Sequence, residues 1–156
     1  MPPVLNPGTK APAFSLPRDG GGQVSLSDFT GQNLVLYFYP KADTPGCTHE
    51  AQAFSALRSA FDAADTAILG VSADPVKAQD KFKAKHKLSI PLASDETHQM
   101  LTAYGVWGEK SMYGRTYLGV IRATFLIDRK GRIACIWPKV SVPGHAGEVL
   151  EAAKAL

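Results

Sequence analysis

Leu34-Val35-Leu36-Tyr37-Phe38-Tyr39-Pro40-Lys41-Ala42-Asp43-Thr44-Pro45-Gly46-Cys47-Thr48-His49-Glu50 decides the fold. Its first six residues are apolar throughout and predict a strand covered on both faces. The polar residues, prolines and glycine that follow predict a turn. A helix is expected over about 48–62, where Phe54, Leu57 and Phe61 recur at i, i+3 and i+7. Cys47 therefore falls where a buried strand turns into a helix. Backbone N–H groups in the first turn of a helix lack partners, and the macrodipole is positive there. Both favour thiolate over thiol, and thiolate is the reactive form. The leading expectation is an exposed, reactive thiol serving a redox or nucleophilic enzyme.

Downstream, residues 67–72 predict a second buried strand. Asp74-Pro75 reads as a helix N-cap with proline in the first helical position, and that helix extends to about residue 87. Residues 88–93 are mixed, with Pro91 arguing for an edge or a break. A short helix begins at Asp95 or Thr97, runs through Tyr104 and stops at Gly105. Residues 106–118 read as a loop carrying Trp107, Tyr113 and Tyr117. Residues 121–127 and 132–137 read as strands of a hairpin turning at Asp128-Arg129-Lys130-Gly131. Pro143-Gly144 precedes a last helix over 146–156. Upstream, an irregular arm carries an extended piece at 13–16, and Gly20-Gly21-Gly22 leads to a short strand at 23–26.

The order is β-α-β-α-(β)-α-β-β-α after an N-terminal β-extension. Two parallel strands joined by a crossover helix, then an antiparallel hairpin and a closing helix, predict an α/β fold of thioredoxin-like layout. That layout has a central mixed sheet flanked by helices. Residues 1–156 read as one domain, long enough to bury a core.

Bulk properties exclude several classes. Of 156 residues, 45% are hydrophobic and 20% charged, and 17 basic against 14 acidic residues leave +3. That mild charge gives no reason to expect nucleic acid as a partner. No apolar run reaches the roughly 18 residues a membrane helix needs, and Met1-Pro2-Pro3-Val4 has no secretory character. The expected location is the cytoplasm. The chain has no CxxC and no HxxxH, and His86, His98 and His145 are scattered, so no metal or cofactor is expected. Two cysteines are too few for a disulfide scaffold, and Cys135 reads as a small hydrophobe, packed in the sheet or lying on its outer face.

Around Cys47 the loop supplies Thr44, whose hydroxyl could face the sulfur or a bound oxygen, and Pro40 and Pro45 stiffen the approach. Arg122 opens an otherwise apolar strand, where a buried guanidinium needs an anion. A thiolate beside a peroxide would be that anion. Glu50 could bond loop groups or Arg122, or serve as an acid favoured by the helix dipole. Thr124 shares a strand face with Arg122. His49 lies two positions past Cys47 and so does not face it. The lysines at 77, 81, 83, 85 and 87 read as a solvated helix face.

Pro40, Thr44 and Cys47 carry the peroxiredoxin pattern of a proline, three residues, a threonine, two residues and the peroxidatic cysteine. The run Tyr37–Thr48 resembles the bacterioferritin comigratory protein branch, also called peroxiredoxin Q. Tyr104-Gly105-Val106-Trp107-Gly108-Glu109-Lys110, Met112-Tyr113-Gly114, Arg122–Asp128 and Gly144-His145-Ala146 are similar to the same branch. The resemblance implies thiol-dependent reduction of hydrogen peroxide and organic hydroperoxides. Cys47 would be the peroxidatic cysteine, with Pro40, Thr44 and Arg122 around it. Many members carry a resolving cysteine five residues later, where this chain has Gln52, and others place it on the next helix, which here has none. The resemblance thus implies a one-cysteine cycle reduced by an external thiol such as thioredoxin or glutaredoxin, in a monomer, with an intermolecular disulfide as the alternative. A thiol–disulfide oxidoreductase or a redox sensor or holdase is the competing reading.

Overall fold

Asn33–Phe38 is buried at all six positions, as the apolar run from Leu34 requires. A computed structural model describes residues 5–156, so Met1–Val4 lie outside the described residues. In chain order, β1 (Ser15–Pro17) and β2 (Gln23–Ser25) form a small antiparallel hairpin. β3 (Asn33–Phe38) leads to α1 (Pro45–Ala56) and α2 (Arg58–Ala63), then to β4 (Thr66–Ser72) and α3 (Val76–His86). β5 (Leu92–Ser94) and α4 (Gln99–Ala103) precede a second hairpin, β6 (Trp107–Met112) and β7 (Arg115–Val120). β8 (Ala123–Ile127), β9 (Ile133–Trp137) and α5 (His145–Lys154) complete the chain.

The central sheet runs β5-β4-β3-β8-β9. β3, β4 and β5 are parallel, while β8 and β9 are antiparallel to their neighbours. This mixed sheet with helices on its faces is the expected α/β architecture. Alternation along β3 divides the interior. Leu34, Leu36 and Phe38 pack with Leu69, Phe125, Leu101 and Tyr104 on one face. Val35 and Tyr37 pack with Phe54, Phe61, Phe82, Val149 and Leu150 on the other. Phe54, fully buried, stacks on Tyr37 with ring centroids 4.7 Å apart. An aromatic side chain buried to this degree is worth roughly 1.5–3 kcal/mol, and this one fixes α1 over the centre of the sheet.

Several boundaries differ from expectation for local reasons. The helix carrying Cys47 starts at Pro45, because proline tolerates the first helical position and Thr44 before it is extended (φ −98°, ψ 156°). It breaks at Leu57 (ψ 5°), whose N–H is shared between the Ala53 and Phe54 carbonyls, so the expected single helix is two. Asp74 does not cap α3, which begins at Val76 after Pro75. Its carboxylate instead accepts from the Ala42 N–H at 2.8 Å and from the Ser72 hydroxyl at 2.6 Å. The expected loop at 106–118 is a hairpin with six paired positions on each strand. Tyr113 (φ 53°) and Gly114 (φ 76°) both take positive φ, the backbone of a two-residue primed turn. Most of β7 is exposed, so no burial imposes the apolar alternation by which strands are read.

Among the described residues no helix is long and apolar enough to cross a membrane.

Candidate active site

Cys47 is the third residue of α1. Its Sγ accepts a hydrogen bond from Arg122 Nη2 at 3.2 Å. The other guanidinium arm, Nη1, donates to Glu50 Oε1 at 2.6 Å. Glu50 lies one helical turn beyond Cys47, so one cation bridges two groups on the same stripe of α1. Gly46 makes this approach possible: a Cβ there would stand 3.2 Å from Arg122 Nη2.

Arg122 does not open β8. It occupies the two-residue connection between β7 and β8, which frees its side chain from the sheet's alternation. Its backbone is nonetheless held. The Ile121 N–H donates to the Val106 carbonyl at 2.7 Å, and the Val140 N–H donates to the Arg122 carbonyl at 3.0 Å.

The electrostatics follow from burial. Burial works against the Arg122 charge, yet Glu50 and then Cys47 hold its pKa above the ordinary value. Glu50 is 1% exposed. Burial pushes its carboxyl up to about 7, against the pull of Arg122. Among the described residues its Oε2 has no hydrogen-bond partner, and neither has the buried Tyr37 hydroxyl. Burial first, then Tyr39, Glu50 and Cys47, raises the Tyr37 pKa and keeps that phenol neutral.

The loop before Cys47 is fastened to its surroundings. Asp43 takes a left-handed conformation (φ 62°) and accepts from Lys85 Nζ at 2.8 Å, with His86 Nε2 at 2.7 Å. Hydrogen bonds with His86 and then Lys85 hold the Asp43 carboxyl below its usual range. Thr44 is half-buried, and its hydroxyl donates to the Lys41 carbonyl at 2.7 Å, not to the sulfur. Pro40 is half-buried two residues after the end of β3.

Cys47, expected to be exposed, is 1% exposed under the guanidinium, while Cys135 is half-buried in β9 opposite Leu126. Both are free. The Thr124 hydroxyl meets His145 Nε2 at 2.8 Å. Burial, then Arg122, lowers the His145 pKa against the pull of Glu148. His49 is exposed. Trp107 packs by stacking on His98 at 3.8 Å, whereas Tyr113 and Tyr117 are exposed. Within the lysine helix, Lys83 pairs with Asp19 and Lys85 with Asp43, while Lys77, Lys81 and Lys87 face solvent. Among the described residues no cluster of three or more His, Cys, Asp or Glu could hold a metal ion.

A sulfur at a helix N-terminus, touched by a guanidinium that cannot lose its proton, is set up to carry negative charge. The same donors can follow that charge when it moves onto an oxygen bound beside the sulfur. Known proteins share this scaffold. Residues 7–136 match the AhpC/TSA family. The chain is 45% identical to peroxiredoxin Bcp of Bacillus subtilis over 147 residues, 94% of each chain. Its fold superposes on PrxQ of Xylella fastidiosa with a TM-score of 0.92 at 41% identity, over 98% of both chains. The bacterioferritin comigratory protein of Xanthomonas campestris, studied for its alkyl peroxide reduction activity, gives a TM-score of 0.86 at 46% identity. That match covers 91% of this chain and 90% of the other.

Proposed function

This chain belongs to the AhpC/TSA family, in its peroxiredoxin Bcp/Q branch, and from that premise we propose that Cys47 is its peroxidatic cysteine and Arg122 the cation that guides attack. Membership makes the protein a thiol-dependent peroxidase. The observation that carries the residue assignment is the 3.2 Å hydrogen bond from Arg122 Nη2 to Cys47 Sγ.

In the proposed cycle the Cys47 thiolate attacks one oxygen of ROOH. An S–O bond forms as the O–O bond breaks, the sulfur is oxidised to sulfenic acid, and RO⁻ leaves to be protonated to ROH. Arg122, freed in part from the sulfur as its charge is spent, stays within reach of the departing oxygen. The N–H groups at the start of α1 serve the same developing charge. Pro40 stiffens the loop that leads to the sulfur. The Thr44 hydroxyl, which donates to the Lys41 carbonyl, must turn from it to meet a bound oxygen.

A thiol R′SH then condenses with the sulfenic acid to a mixed disulfide and water, and a second thiol restores Cys47. The donor is external, such as thioredoxin, glutaredoxin or a small thiol. Supporting this are the free state and the β9 location of Cys135, the only other thiol in the chain. The substrates are hydrogen peroxide and organic hydroperoxides, and the role is antioxidant defence. The protein works as a single-domain monomer in the cytoplasm, where such donors are kept reduced.

Peroxide consumption with thioredoxin and its reductase, paired with intact-mass analysis, tests the assignment. Cys47→Ser is expected to abolish turnover, while Cys135→Ser keeps most of it and still forms sulfenic acid at Cys47. Equal loss in both variants, or an internal disulfide in the oxidised wild type, would overturn the one-cysteine cycle. Arg122→Ala should slow Cys47 oxidation about a hundredfold, the scale for losing one preorganised donor. A rate within threefold of wild type would remove Arg122 from the reaction.

A further inference from the structure

The β6–β7 hairpin projects exposed side chains along most of β7, including Tyr117 and Leu118, but Lys110 turns inward. It sits opposite Tyr117 in the ladder, is half-buried, and donates from Nζ to the Val120 carbonyl at 3.0 Å. Its stem crosses β7 where Gly119 leaves room. A Cβ at that glycine would stand 3.1 Å from Lys110 Cδ and 3.4 Å from the Tyr117 ring. Among the described residues Lys110 forms no salt bridge with an acid. A half-buried ammonium whose one fixed partner is a carbonyl is uncommon, since desolvating the charge is costly. Here burial, then the nearby Arg122, lowers its pKa, while Cys47 pulls the other way.

The placement of that carbonyl gives the lysine a purpose. Val120 is 2% exposed, closes β7, and is two residues before Arg122. Three successive residues are thus gripped by three different parts of the molecule. Lys110 holds the Val120 carbonyl, Val106 receives the Ile121 N–H at 2.7 Å, and Val140 donates to the Arg122 carbonyl at 3.0 Å. The guanidinium is aimed by the backbone these contacts fix, and a misplacement near 1 Å in such a group can cost on the order of a hundredfold in rate.

We infer that Lys110 is a positioning residue of the peroxide site: its ammonium, laid across Gly119 onto the Val120 carbonyl, holds the segment that presents Arg122 to Cys47. This rests on the role proposed above for Arg122. The side chain does not touch the reacting atoms; it acts through Arg122.

The test follows oxidation of Cys47 by hydrogen peroxide in the full-length protein by stopped-flow tryptophan fluorescence. Lys110→Met removes the charge and keeps the stem, and should slow oxidation about tenfold. Lys110→Arg, which can still reach the carbonyl, should return the rate to within about threefold of wild type. Gly119→Ala keeps the charge but crowds the stem, and should lose activity in the same direction as Lys110→Met. The deciding readout is coupling. In an Arg122→Ala background, Lys110→Met should have no further effect, because the group it positions is gone. A wild-type rate in Lys110→Met overturns the inference while leaving Arg122 in place. So does a full tenfold loss added on top of Arg122→Ala, which would mean that Lys110 acts independently of Arg122. An Arg122→Ala rate equal to wild type would instead defeat the assignment of Arg122, and this inference with it.

Discussion

Arg122 binds two groups with one guanidinium, Cys47 Sγ at 3.2 Å and Glu50 Oε1 at 2.6 Å. Glu50 aims the arginine, but its own charge is poorly housed, with Oε2 unpartnered and burial lifting its pKa to about 7. The folded protein therefore holds the Glu50 proton more tightly than the unfolded chain, whose carboxyl keeps the ordinary value of 4.5. Glu50 thus contributes stability that is complete below about pH 4.5 and is lost as pH rises through about 7. Glu50→Gln keeps the shape without the titration. Its stability relative to wild type should rise between pH 4.5 and pH 8, read by urea unfolding at each pH. A gap that stays level or narrows would mean the carboxylate is well solvated by Arg122 alone.

At the level of elements, β4 and α1 meet through Tyr37. The Tyr37 ring stacks on Phe54 of α1 and lies against Gly70 of β4. A Cβ on Gly70 would stand 2.8 Å from Tyr37 Cζ and its hydroxyl, and 3.0 Å from Leu92 Cδ2. Both side chains are fully buried and have no room to yield. Gly70→Ala should therefore destabilise the protein by about 1–3 kcal/mol, the usual scale of overpacking, in equilibrium denaturation. It should also slow Cys47 oxidation, because the displaced ring presses on the helix that carries the thiol. An alanine variant as stable as wild type would show that the ring can move.

Across the whole molecule, the thiol lies between the sheet and the helices that cover it, and it is 1% exposed. Small peroxides need only a narrow opening beside Arg122, but a protein thiol needs the sulfur brought outward. The clamps resisting this are Asp43 with Lys85 and His86, and Asp74 with the Ala42 N–H. Both tie the loop to α3 or to the residues just before it. In the proposed cycle oxidation adds an oxygen to the sulfur that accepts from Arg122 Nη2 and disturbs that hydrogen bond, so the first turn of α1 should loosen. Hydrogen exchange at residues 45–50 is expected to speed up at least tenfold after one equivalent of peroxide, an opening easier by about 1.4 kcal/mol. Asp43→Asn should raise the rate further. Equal protection in the reduced and oxidised protein would mean that the donor reaches the sulfur without unwinding.

The sequence by itself determined the central strand, the strand-to-helix turn at Cys47 and the mixed-sheet α/β layout. These rest on short-range patterns: six apolar residues in a row, prolines and a glycine, and apolar residues at helical spacing. Only the tertiary structure decided that Arg122 sits in a connection rather than in β8, that Thr44 turns from the sulfur, and that Cys47 is covered while Cys135 is half-open. It also decided that residues 107–120 form a hairpin, whose largely exposed β7 needs no apolar alternation. The Thr44 bond and the hairpin are local but leave no apolar pattern, whereas the covering of Cys47 depends on groups far apart in the chain, such as Arg122 and Cys47. Their approach is set by packing and by the pairing of buried polar atoms, which no local pattern of residues encodes.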